Sequence, residues 1–212
     1  MAVAVQTSTT TNWSVITYTG GLCTFTMNKP TGVVVGDLLL AQVANDGLAG
    51  TYNMPSGWTQ LIDSKNGSII RSTIFYKIAT STEVAASTFT WTINTGTNSA
   101  MGGAILRIDG HSPGNPIWTS AADTTVVNTA APSFNNTITP AVANSLLLLI
   151  ATAQQNGNNI GGYAIVTSNS TWTEIWDFTA TPGAAAYSSS AATATRSQVT
   201  ATGNSSVTGG LS

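Results

Sequence analysis

Gly36-Asp37-Leu38-Leu39-Leu40 recurs about 108 positions further on as Asn144-Ser145-Leu146-Leu147-Leu148. Each copy places a residue with a side-chain oxygen just before a leucine run, which reads as a turn feeding a buried strand. The echo continues downstream. Gly57-Trp58-Thr59-Gln60-Leu61-Ile62-Asp63 matches Thr171-Trp172-Thr173-Glu174-Ile175-Trp176-Asp177, with the intervening loop longer by about six residues. Length change confined to a loop between matching strands is what a duplicated fold tolerates. Beyond the tryptophan segments, Ile74-Phe75-Tyr76-Lys77-Ile78 and Thr88-Phe89-Thr90-Trp91-Thr92 align with Ala186-Tyr187-Ser188 and Gln198-Val199-Thr200-Ala201-Thr202. The second copy is poorer in apolar residues and stops early.

Around this repeat, short alternating or apolar runs are separated throughout by Gly, Pro, Asn and Asp. That pattern predicts strands at 13–19, 22–27, 38–44, 59–63, 72–78, 87–93 and 101–109, then at 133–138, 145–153, 172–178, 183–190 and 196–202. One helical turn is predicted after Ser81, which offers a cap before Val84-Ala85-Ala86. The chain therefore reads as all-β, a jelly-roll-like antiparallel β-sandwich with two related halves, about 13–110 and 126–208, within one domain over 1–212. The alternative is two small β domains joined near 111–128, where Pro113, Gly114, Pro116 and Ala121-Ala122 break the strand pattern.

Composition narrows the function. Only 7% of the 212 residues are charged, while 42% are hydrophobic. Ser and Thr make up roughly three residues in ten, so hydroxyls and amides replace ions on the surface. A net charge of -2 gives no field able to hold a polyanion by counterion release, so no nucleic acid partner is expected. The first residues, Met1 to Gln6, have neither a basic stretch nor a long apolar one, and no secretion signal is read there. The longest apolar runs are too short to span a bilayer, so no membrane partner is expected.

The chemistry of catalysis is sparse. Cys23 is the single cysteine and lies in an alternating stretch, where it reads as a small buried hydrophobe. His111 is the single histidine and reads as a loop residue, which leaves no set for a His-based metal cluster or a protease relay. There is no Gly-x-Ser-x-Gly elbow and no calcium loop. Asp63, Asp177 and Glu174 are the acids available for a glycosidase-type pair, but strand-end carboxylates that accept from turn amides explain them better. Asp37 reads as a turn residue too, since Ser145 replaces it in the second copy. No catalytic residue, cofactor or metal is assigned, and the chain is read as not an enzyme. Trp58 and Trp172 recur in the repeat and read as packing. Trp118 and Trp176 have no tryptophan counterpart, so they are the residues assigned to a binding or subunit contact.

The series Pro30-x-Gly32, Gly36-Asp37-Leu38-Leu39-Leu40, Pro55-Ser56-Gly57-Trp58-Thr59, Phe75-Tyr76 and Arg107-Ile108-Asp109-Gly110, ending at Pro116-Ile117, resembles a jelly-roll-like module. Such modules occur in tailed-bacteriophage virion proteins, of head decoration and tail-fibre type, and in bacterial adhesin-like surface proteins. The resemblance covers the first half strongly and the second loosely, and it rests on turns and core residues without a catalytic signature. It implies a virion structural protein on the particle surface, a head decoration or cement subunit held to the major capsid protein and to its own copies, with a trimer as the natural guess. The alternative it implies is a carbohydrate-binding adhesin or tail-fibre module recognising glycans, on a bacterial surface or secreted. The Gly/Ser-rich tail from Thr202 departs from the pattern, and the expectation is that the N-terminus or a neighbouring subunit supplies the last strand.

Overall fold

The computed structural model describes residues 3–46, 50–66, 70–117, 120, 122, 133–138, 145–156, 166–167, 173–180, 187–198 and 205–210. The first half contributes strands β1 (Ala4–Ile16), β2 (Cys23–Asn28), β3 (Leu38–Asn45), β4 (Tyr52–Asn53), β5 (Thr59–Asn66), β6 (Ile70–Ile78), β7 (Thr88–Ile93) and β8 (Ser99–Asp109). A single turn of helix, α1 (Ser81–Ala85), lies between β6 and β7. The second half contributes β9 (Ser133–Ile138), β10 (Ser145–Asn156), β11 (Val166–Thr167), β12 (Thr173–Ala180), β13 (Tyr187–Gln198) and β14 (Ser205–Gly210). The chain is an all-β sandwich, and every strand pairing among the described residues is antiparallel.

In the first half a five-stranded sheet, β1-β8-β3-β6-β5, covers a three-stranded one, β2-β7-β4. Alternation decides which side chains lie between them. Leu39, Ala41 and Val43 of β3 join Phe25, Met27, Phe75, Trp91, Ile93 and Ile105 in the core between the two sheets. Trp58 and Trp91 meet edge to face with ring centroids 5.2 Å apart. Gly103 belongs to this packing, because a Cβ there would come within 2.3 Å of the Gln42 carbonyl oxygen and 2.9 Å of Met27 Sδ. Its neighbour Gly102 lies under the Trp13 ring, which a Cβ would approach to 2.8 Å.

Every residue of β3 is buried, which two-sheet packing alone does not explain. The reason lies in the opposite face. Leu38, Leu40, Ala44, Ile74 and Leu106 form a second core, against which Leu146, Leu148 and Ile150 of β10 and Ile175 of β12 pack. A central strand covered on both faces loses its alternation and reads as a continuous apolar run, as β3 does.

The six described strands of the second half repeat the pairing of six of the eight strands of the first. They form the sheets β10-β13-β12 and β9-β14-β11, against β3-β6-β5 and β2-β7-β4. Register repeats too. Tyr76 is flanked by Leu40 and Thr59, and Thr195 by Leu148 and Thr173. Even the β-bulge is duplicated: Leu61 is the extra residue between Gln60 and Ile62, and Ile175 the extra residue between Glu174 and Trp176.

This register corrects several sequence readings. Ile74 to Ile78 correspond to Thr193 to Ser197 rather than to the stretch at Ala186-Tyr187-Ser188. The described parts of the predicted strands 183–190 and 196–202 belong to one strand, β13, whose many Ser, Ala and Thr residues hide its continuity from a hydrophobic-period reading, while 183–186 and 199–202 lie outside the described residues. The Gly/Ser-rich tail contains a strand, β14, which pairs with β9 over its whole length, so backbone hydrogen bonding compensates for the lack of apolar side chains. The first strand begins at Ala4, and it pairs with β8 in the first half rather than completing the second. The helical turn is capped one residue earlier than expected, by Thr80.

Candidate functional site

Asp63, the first-half acid singled out in the sequence, is built into a cross-strand contact. Asp63 on β5 accepts from Arg71 Nε at 2.6 Å and Nη2 at 2.9 Å, the bidentate geometry a planar guanidinium favours. Thr73 Oγ1 lies 3.3 Å from the same carboxylate. Burial alone would raise the Asp63 carboxyl, but the Arg71 hydrogen bonds and charge hold it below the usual carboxylate range. Arg71 is only 2% exposed. Its third contact is Nη1 to the Gly50 carbonyl at 2.6 Å, and its guanidinium carbon sits 4.7 Å from the Tyr52 ring centroid. Tyr52 in turn donates to Asn45 Oδ1 at 3.0 Å. Burial pushes the Tyr52 hydroxyl well above its ordinary value. The partner of Asp63 is thus a guanidinium across a hairpin and not a turn amide.

The equivalent positions of the second half carry other residue types. Register puts Ser190 at the Arg71 position, Ala192 at the Thr73 position and Val166 at the Tyr52 position. Asp177 stands opposite Ala192 on β13, and Glu174 opposite Ala194. Asp63 and Asp177 lie in different sheets, each tied to its own copy of the fold.

Asp37 does serve the turn, accepting from the Val34 amide at 2.8 Å. It also pairs with Arg107 Nε at 2.6 Å, so the buried charge has a specific partner on β8. His111 closes the same end of the sandwich, its Nε2 lying 2.7 Å from the Gly36 carbonyl. Cys23 is fully buried within the inter-sheet core.

Glu83 completes a capping box on α1, accepting from the Thr80 amide at 2.9 Å and the Thr80 hydroxyl at 2.7 Å. Lys77 Nζ lies 2.8 Å from its other oxygen. Burial would raise the Glu83 carboxyl, yet the hydrogen bonds from Lys77 and Thr80, with the Lys77 charge, bring it from 4.5 down to about 2. The remaining ions up to Asp109 are also engaged within the chain. Lys65 pairs with Asp63, Asp46 accepts from Ser99 and the Ala100 amide, Gln6 donates to Asp109, and Lys29 reaches the Val84 carbonyl.

Among the described residues the seam between the halves carries a polar cluster. Gln42 Nε2 donates to Thr152 Oγ1 at 2.6 Å and to Ser72 Oγ at 3.2 Å, and Thr152 donates to Ser72 at 3.1 Å. Leucine contacts surround it. Those contacts come from equivalent positions of both copies: Leu38 with Leu146, Leu40 with Leu148 and Leu61 with Ile175 all contribute to one cluster. The two halves meet through the same face, as subunits of an isologous dimer do.

Of the two residues assigned to binding, Trp176 lies on β12 opposite Thr193, directly after the bulge. Trp118 lies outside the described residues. Among the described residues no three His, Cys, Asp or Glu side chains gather as metal ligands would. The feature that sequence reasoning missed is a difference of pairing. Among the described residues β10 pairs with β13, whereas its counterpart β3 is held between β6 and β8. The echo of the leucine runs gave the only signal of it, since a strand written like β3 implies neighbours on both sides. No family model, curated protein or solved structure matches the chain.

Proposed function

We propose that this chain is a structural subunit on the surface of a phage-type particle, a head decoration or cement protein that acts by subunit contact and not by turnover. The observation that carries this reading is the internal use of charge. Each Asp, Glu, Lys and Arg up to Asp109 has an intramolecular partner, and the exposed positions between them are largely Thr, Ser and Asn. A surface of that kind can pack against many identical copies without accumulating repulsion, and it fits an assembly role better than a catalytic one. The strand order β1-β8-β3-β6 facing β2-β7-β4 favours the jelly-roll description, with β5 turned back onto β6.

Gold-labelled antibody against the protein, applied to tailed particles from its source and viewed by electron microscopy, tests the proposal. Label over the heads supports decoration. Label at the tails replaces it with a receptor-binding role, and unlabelled particles overturn the virion reading.

A further inference from the structure

We draw no further inference here: the strongest candidate, the outward face of the β2-β7-β4 sheet on which Thr24, Thr26, Thr88 and Thr90 stand exposed, is an unpartnered sheet face, and nothing in the structure shows what covers it.

Discussion

β3 and β10 begin from nearly the same words and end in different circumstances. β3 is flanked by β6 and β8, covered on both faces and buried along its whole length. β10 has the same partner on one side, β13 in the place of β6, and no described strand on the other. The difference extends to chemistry. The first half fastens its strands with Arg71 on Asp63, Arg107 on Asp37 and Lys77 on Glu83. Register places Ser190 at the Arg71 position and Ser145 at the Asp37 position in the second half. Two of the three ion pairs thus meet a serine at one equivalent position of the second half, while the strand pairing is kept. Backbone pairing and sheet packing specify the architecture, and the described ion pairs add local fastening to the first half.

The sharpest way to break that comparison is to remove the fastening. Arg71→Met leaves the Asp63 carboxylate without its bidentate partner and empties the position over Tyr52. We expect a loss of about 2 kcal/mol in denaturant unfolding, in the range for hydrogen bonds to a charged group, because water takes up the part-exposed Asp63 carboxylate once Arg71 is gone. Ser190→Ala at the equivalent position should change stability by no more than about 0.5 kcal/mol, as ordinary substitutions do. Equal effects at the two sites would mean that the second half hides an equivalent network.

A smaller effect is expected at the seam. Thr152→Val removes the nearer acceptor of Gln42 Nε2 and leaves it Ser72 Oγ at 3.2 Å, a weakening expected to cost about 1 kcal/mol. Combined with Gln42→Leu, the loss should be less than the sum of the two single changes, since both act on one interaction. Strict additivity would contradict the contact between the halves.

A further effect appears only in acid. Glu83 has a folded value of about 2 against an ordinary 4.5. A depressed carboxyl contributes stability that is fully present above its unfolded value and is lost as pH falls through the folded one. Unfolding midpoints followed from pH 4.5 down to about 2 should therefore decline, and Glu83→Gln should flatten that part of the decline. A variant with the unaltered acid profile would show that Lys77 and Thr80 do not hold the charged form.

How much of this could be read in the sequence depended on what each residue does. The leucine runs, Trp58 and the Gly36-Asp37 turn were legible because burial and turn geometry restrict residue type. The continuity of β13 was hidden because its Ser, Ala and Thr side chains carry no hydrophobic period, and β14 was hidden for the same reason. The Asp63–Arg71 pair left no trace, since a cross-strand contact depends on hairpin register and a bulge at Leu61 shifts that register by one residue. The burial of β3 on both faces was written in its unbroken apolar run, but its cause, a second sheet from the other half, is a fact of tertiary packing. For the binding assignment, Trp176 was placed on a strand and Trp118 falls outside the described residues, so the difference of pairing at β10 came only from comparing the copies.

One strand register has been duplicated together with its irregularity, and cross-strand nuclear Overhauser contacts on isotopically labelled protein test that duplication. Contacts are expected from Glu174 to Ala194 and from Trp176 to Thr193, with Ile175 bulged out as Leu61 is between Gln60 and Ile62. Continuous pairing, with Ile175 opposite Thr193 and Trp176 opposite Ala192, would contradict it.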